Sequence, residues 1–131
     1  MAHDKRNPKP GDLIEIDRGI YQHWALYVGD GYVTHVTGSS HKSLSVSSVS
    51  NVDGEAKVKK EHLKEVVGNN EWRVNNKYDR SRTPLPVEDV IQRAERSIGR
   101  EVQYSPIGNN CEHFVTELRY GRPLSDQVSA A

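Results

Sequence analysis

The chain is poor in cysteine, phenylalanine and methionine, with one of each among its 131 residues. A single cysteine excludes a disulfide within the chain, and residues 1–6 lack the pattern of a signal peptide, so we expect a reduced thiol in a cytoplasmic protein. Long apolar runs are also missing. The longest spans residues 24–28, far short of the roughly 20 residues needed to cross a membrane, which predicts a soluble chain.

An excess of charge of either sign is missing as well. Eighteen basic and eighteen acidic residues give a formal net charge of zero, which argues against a general nucleic-acid-binding protein because phosphate neutralisation needs surplus positive charge. The strongest basic run, Lys57, Lys59 and Lys60, is flanked by acidic residues that include Glu61, and such mixed runs are typical of a solvated surface. The length fits one domain, residues 1–131, with an ordered core expected over residues 8–125.

What is present predicts an α+β fold with a small antiparallel sheet and about three helices. Strand patterns occur at residues 13–16, 24–28, 32–36, 57–60, 72–74 and 102–104. Helical patterns occur at residues 61–67, 86–98 and 110–120, and the second is expected to bury Val87, Val90, Ile91, Ala94 and Ile98 on one face. The serine-rich segment 37–54 is predicted to be a mobile loop.

The only cysteine begins the last of these helices. Asn110 is a suitable N-cap and Gly121 a suitable C-terminal stop, while one apolar stripe at spacings 0, 3, 4 and 7 consists of Cys111, Phe114, Val115 and Leu118. Cys111 is therefore expected in the first helical turn. The partial positive charge there favours the thiolate, which is the nucleophilic form of cysteine.

A base for this thiol is expected on the hairpin, whose two strands carry His23 and His35. With a three-residue loop at 29–31, Val28 pairs with Tyr32, and the two imidazoles become diagonal neighbours on one face, roughly 7–8 Å apart at the backbone. A two-residue loop would shift the parity and place the histidines on opposite faces. The catalytic interpretation therefore requires the odd loop.

If the cysteine helix packs on the histidine face, the residues form a cysteine acyl-transfer site. Cys111 is then the nucleophile, His23 the general base and acid, and His35 the residue that orients His23. Two other interpretations stay open. Cys111 can be a small buried hydrophobe, or these three residues and His113 can bind Zn²⁺, although the spacing lacks the paired ligands typical of zinc sites. His113 is expected to point away from Cys111 and to be structural.

Several motifs in order resemble the phospholipase A and acyltransferase family (HRAS-like suppressor), relatives of lecithin–retinol acyltransferase, over about residues 8–128. These motifs are KPGDLIEI at 9–16, YQHWA at 21–25, VGDGYV at 28–33, RVNNK at 73–77, NCEHFV at 110–115 and LRYG at 118–121. The resemblance implies a circularly permuted papain-like fold of the NlpC type, with the histidine strands ahead of the cysteine helix.

The resemblance further implies that Cys111 takes an acyl chain from a glycerophospholipid as a thioester, with His23 as base and His35 completing the triad. Phosphatidylcholine and phosphatidylethanolamine at a membrane surface are the implied partners, and no nucleic acid, metal or cofactor is implied. Water as acceptor gives phospholipase A activity, the amine of phosphatidylethanolamine gives N-acylation, and a lysophospholipid gives O-acylation. The backbone N–H of Cys111 is a candidate oxyanion donor and Tyr21 a second one.

The chain departs from the family pattern in three places. Asp17 stands where the family has an aromatic residue, the segment 36–40 replaces a Leu-Ala-Pro-like segment, and the hydrophobic membrane anchor that commonly ends the family is not present in residues 1–131. By resemblance, we expect the full-length protein to be anchored by such a segment and otherwise peripheral to membranes. A cysteine peptidase or amidase on the same fold, and a non-catalytic interaction module, are the rival interpretations.

Overall fold

A computed structural model describes residues 7–38, 55–103 and 110–124. Within them the strands are β1 Leu13–Asp17, β2 Gln22–Gly29, β3 Tyr32–Gly38, β4 Glu55–His62, β5 Trp72–Val74 and β6 Glu101–Gln103. The helices are α1 Leu63–Val67, α2 Val87–Ser97 and α3 Asn110–Tyr120, with a 3₁₀ turn at Lys77–Arg80. The six strands form one antiparallel sheet in the order β5-β1-β2-β3-β4-β6. The predicted α+β class is confirmed.

The hairpin of β2 and β3 reaches the predicted register by a different turn. Asp30 and Gly31 form a two-residue turn with φ of 59° and 86°, the positive values that a type I′ turn requires. Gly29 pairs with Tyr32, but the register shifts between Tyr27 and Gly29, which makes Val28 an extra residue, a β-bulge. The bulge restores the parity that the three-residue loop was expected to supply.

Two apolar clusters cover the two faces of the sheet. The larger lies under α2 and α3 and includes Trp24, Leu26 and Val58, all at most 4% exposed. The smaller lies under α1 and includes Ile14, Ala25 and Val33. Because side chains alternate along a strand, His23 and His35 share the side of Ala25 and Val33, whereas α3 packs mainly against Trp24 and Leu26. The prediction that α3 packs on the histidine face therefore holds only at its first turn.

Several boundaries differ from the sequence-based prediction. Glu61 and His62 belong to β4 and not to α1, which begins at Leu63. In α2 the buried residues are Val90, Ala94 and Ser97, whereas Val87 is 45% exposed and Ile98, after the helix end, is 40% exposed. These two apolar residues lie at the two ends of α2 and are not part of the buried core. Of the predicted loop 37–54, residues 37 and 38 belong to β3 and the rest lies outside the described residues, as does residue 104 of the predicted last strand.

Candidate active site

Helix α3 presents the cysteine as predicted. It begins at Asn110 and ends at Tyr120, followed by Gly121 with φ of 89°, so Cys111 lies in the first turn. Cys111 is 4% exposed, and the other three members of its stripe are buried with it in the larger cluster: Phe114, Val115 and Leu118. The capping role predicted for Asn110 depends on a side chain that lies outside the described part of the chain.

The thiol meets His23 beyond the last paired residues of the hairpin. Pairing between β2 and β3 runs from Gly29–Tyr32 to Leu26–Thr34, and both strands continue beyond that pair, to Gln22 and Gly38. His23 lies in this continuation of β2. There the Cys111 Sγ atom lies 3.1 Å from His23 Nδ1, although the body of α3 packs on the other face.

The second histidine continues the contact. His23 Nε2 lies 2.8 Å from His35 Nδ1, and the rings meet edge to face with centroids 5.1 Å apart. Both side chains are buried, at 4% and 3% exposure. The structure thus brings together the three predicted residues in the order Cys111, His23, His35.

The electrostatics of His23 favour a neutral base. Burial lowers the pKa of His23 well below its ordinary value of 6.5, and the neighbouring His35 and Arg18 lower it further. Arg18 is held beside the site by bonds from its guanidinium to Asn70 Oδ1 at 2.6 Å and to the Val66 carbonyl at 3.0 Å. At neutral pH, His23 therefore has a lone pair available for a proton.

Sequence reasoning missed one residue of this cluster. The carboxylate of Glu61 lies 2.7 Å from His35 Nε2, so the chain of contacts has a fourth member. The sequence pattern places Glu61 in a charged run typical of a solvated surface. That prediction is wrong for the Glu61 carboxylate, which binds His35. Glu61 reaches His35 because of the β3–β4 register, in which Val33 pairs with Glu61 and His35 pairs with Lys59. The local sequence pattern does not determine that register.

The RVNNK segment, residues 73–77, contacts two elements that position the site, strand β1 and helix α3. Asn75 and Arg73 donate to the buried carboxylate of Glu15 on β1, each at 2.9 Å. Lys77 pairs with Glu112 at 3.3 Å, and the Tyr78 hydroxyl donates to the same carboxylate at 3.3 Å. Since Glu112 follows Cys111, these contacts fix the first turn of α3.

The remaining candidates are not drawn into the cluster. His113 is half-buried on α3, while Tyr21 precedes β2 and its carbonyl accepts the Arg18 backbone N–H at 3.0 Å. Tyr21 as an oxyanion donor stays a prediction. In the described ranges, no three His, Cys, Asp or Glu side chains are grouped so that they could hold a metal ion. A helix long and apolar enough to span a membrane is likewise not found among these residues.

Comparison with known proteins places this arrangement in a family. The family model for lecithin retinol acyltransferase matches residues 6–124. Phospholipase A and acyltransferase 1 of Rattus norvegicus is 56% identical over 126 residues, covering 95% of this chain and 75% of the relative. Phospholipase A and acyltransferase 3 is 55% identical in Mus musculus, over 95% of this chain and 78% of the relative. In Homo sapiens it is 53% identical, over 92% and 76%.

The chain belongs to the lecithin retinol acyltransferase family. Within that family, the similar relatives carry the name phospholipase A and acyltransferase, which agrees with the resemblance drawn from the motifs.

Proposed function

We propose that this chain is a thiol-dependent phospholipid acyl hydrolase and acyltransferase. The observation that carries the proposal is the 3.1 Å contact between Cys111 Sγ and His23 Nδ1, in a chain more than half identical to relatives named for these two activities. The same contact argues against Cys111 as a mere buried hydrophobe, because a base lies within hydrogen-bond reach of the thiol.

The first half-reaction transfers the acyl group to sulfur. His23 Nδ1 accepts the thiol proton while Sγ attacks the ester carbonyl of a glycerophospholipid, forming a tetrahedral intermediate. The intermediate collapses to a Cys111 thioester, the ester C–O bond breaks, and the His23 imidazolium returns the proton to the departing lysophospholipid hydroxyl. His35 orients the imidazole through its 2.8 Å contact with Nε2.

The second half-reaction depends on which acceptor reaches the thioester. Water releases a fatty acid and gives phospholipase A activity, the amine of phosphatidylethanolamine gives an N-acyl product, and a lysophospholipid hydroxyl gives O-acylation. In each case His23 removes the acceptor proton and the acceptor attacks the thioester carbonyl. The C–S bond then breaks, and His23 returns the proton to the departing Cys111 sulfur. Splitting the transfer in this way allows one site to serve several acceptors.

The oxyanion and the setting of the reaction complete the proposal. The Cys111 backbone N–H is the first candidate oxyanion donor, because it lies in the first turn of α3, where N–H groups have no acceptor within the helix. Tyr21 is a second candidate donor. We propose one catalytic domain with a circularly permuted papain-like arrangement, since both histidine strands precede the cysteine helix in sequence. It acts on phospholipids at a membrane surface.

Intact-protein mass spectrometry after incubation with phosphatidylcholine tests the proposal. We expect a fatty-acyl mass increment that hydroxylamine removes, together with release of lysophospholipid, and we expect neither in Cys111→Ser. His113→Gln is the matched control, because His113 lies two residues away on the same helix and should leave acylation intact. No adduct and no lysophospholipid from the wild type would refute the proposal. Cleavage of peptides in place of lipids would favour the peptidase alternative.

A further inference from the structure

A carboxylate ends the row of contacts that begins at the thiol. Glu61 Oε1 lies 2.7 Å from His35 Nε2, His35 Nδ1 lies 2.8 Å from His23 Nε2, and His23 Nδ1 lies 3.1 Å from Cys111 Sγ. Each histidine therefore uses both ring nitrogens within this row. Every bond in the row must then have one donor and one acceptor.

The chemistry of the last member decides the direction of all three bonds. An ionised carboxylate accepts hydrogen bonds and donates none, so His35 must carry its proton on Nε2. A neutral His35 then has a lone pair on Nδ1, and His23 must donate to it from Nε2. This leaves a lone pair on His23 Nδ1, the nitrogen that faces the thiol. With Glu61 as acceptor at the far end, the proton of Cys111 therefore has an acceptor in His23 Nδ1.

We propose that Glu61 is a positioning residue that sets the tautomers of both histidines and so makes His23 Nδ1 the basic atom. The inference rests on the proposed function and extends the site by one residue that touches neither substrate nor sulfur. It assigns to Glu61 the orienting task that a carboxylate usually performs directly on the base, here carried out through His35.

The placement of Glu61 supports this role. Glu61 is held in β4 in register with Val33, one diagonal step from His35, where side chains of adjacent strands reach each other. The Glu61 side chain is 37% exposed, whereas that of His35 is 4% exposed. Water can therefore solvate the carboxylate charge while the imidazole it binds stays buried. An ionised acceptor at this position avoids most of the cost of burying a charge.

The loss of kcat caused by a substitution at Glu61 should depend on whether the new side chain accepts or donates a hydrogen bond. Glu61→Asp keeps an acceptor-only group, Glu61→Gln can accept or donate, and Glu61→Lys can only donate. We expect kcat for phospholipid hydrolysis to fall least for Asp, by about 10-fold for Gln and by about 100-fold or more for Lys, because general-base catalysis contributes about 10²–10⁴-fold and Gln keeps part of it. KM should change by no more than about twofold, because the residue does not touch substrate. Glu95→Gln, which removes a carboxylate paired with neighbouring Lys60, is the control and should retain wild-type kcat.

Nitrogen-15 NMR of the histidine rings at pH 7.5 reads the tautomers without any lipid. In the Cys111→Ala background we expect the proton on Nε2 and the lone pair on Nδ1 in both His23 and His35. Adding Glu61→Lys should reverse both assignments, and adding Glu95→Gln should change neither. A merely structural role for Glu61 would leave the tautomers where they are, whereas a general loss of packing would average the two tautomers of each ring and not reverse them.

The two readouts separate the two proposals. Tautomers that Glu61→Lys leaves unchanged, or equal losses of kcat in the Asp, Gln and Lys variants, would overturn the role assigned to Glu61. A wild-type chain without acyl transfer would instead refute the proposed function, and the NMR result would still decide whether Glu61 sets the tautomers. Well-dispersed spectra of each variant show that the fold is intact.

Discussion

Mild acid should weaken the fold through His23. This imidazole is 4% exposed, and its pKa in the folded chain lies well below the ordinary 6.5, first because of burial and then because of His35 and Arg18. In the unfolded chain it regains the ordinary pKa. Between the two values the unfolded state binds more protons than the folded state, so the free energy of unfolding falls as the pH falls.

The magnitude follows from the unfolded pKa alone while His23 stays neutral in the fold. From pH 7.5 to 5.5, protonation of the unfolded imidazole lowers the free energy of unfolding by up to about 1.4 kcal/mol. The carboxylates with shifted pKa values affect the free energy of unfolding only at lower pH. Partial burial acts to raise the pKa of Glu15, but hydrogen bonds from Asn75, Gln22 and Arg73 lower it below 4.5. Partial burial likewise acts to raise the pKa of Asp79, but hydrogen bonds from Arg119 and Tyr120 lower it below 3.8. Their stabilisation is lost only as the pH falls through these lowered values, so it does not enter this window.

Urea denaturation at pH 7.5 and 5.5 measures the effect for the wild type and His23→Gln. The variant should be less stable at both values but should lack the His23 part of the acid-induced loss. His62→Gln is the matched control, since His62 is an exposed histidine on β4 and its replacement should leave the loss as in the wild type. An equal loss in the wild type and in His23→Gln would show that His23 is not held neutral, and the reasoning from its burial would be wrong.

Four further predictions concern activity and stability. The acid limb of kcat/KM for phospholipid hydrolysis should lie below pH 6.5, because the low pKa of His23 keeps the base neutral there; a limb above 6.5 would contradict this. Thr34→Val should be neutral or stabilising by about 1 kcal/mol, since among the described residues the buried Thr34 Oγ1 has no hydrogen-bond partner. Thr116→Val, by contrast, removes a hydroxyl that accepts the Leu124 N–H at 2.7 Å, and urea denaturation should show a loss of about 1–2 kcal/mol. Gly31→Val should cost about 1–2 kcal/mol in the same assay from backbone strain alone, because φ is 86° and, apart from the adjacent residues, no described atom lies within 4 Å of the added Cβ.

Local signals were sufficient for the elements that carry the chemistry. The hairpin follows from β-rich residues on both sides of Asp30-Gly31, and the cysteine helix from a stripe that ends before Gly121. Both are properties of short segments, in which turn chemistry and apolar spacing agree. The expected three-residue loop was wrong, however, and His23 meets His35 only because the bulge at Val28 restores the parity that the two-residue turn alone would have shifted.

The parts that sequence reasoning missed depend on contacts between distant segments. The bulge at Val28 and the end of the β2–β3 pairing at Leu26–Thr34 depend on how the sheet is assembled, and no short sequence pattern predicts them. The position of Glu61 opposite Val33 depends on the β3–β4 register, and these strands are joined by residues 39–54, which give no turn-based register. The exposure of Val87 shows the same limit for helices, since an apolar residue in the first turn of α2 extends past the surface that buries Val90.

The arrangement of charges explains why a second histidine is useful between base and carboxylate. A carboxylate placed directly against His23 would be buried beside Cys111, where an ion loses several kcal/mol of hydration. His35 fills that position with an imidazole, and Glu61 remains 37% exposed at the outer end of the row. In the proposed mechanism, positive charge develops on His23 in this buried part of the site when the imidazole accepts the thiol proton. The Glu61 carboxylate can then stabilise the imidazolium through His35, while water solvates the negative charge of Glu61 itself.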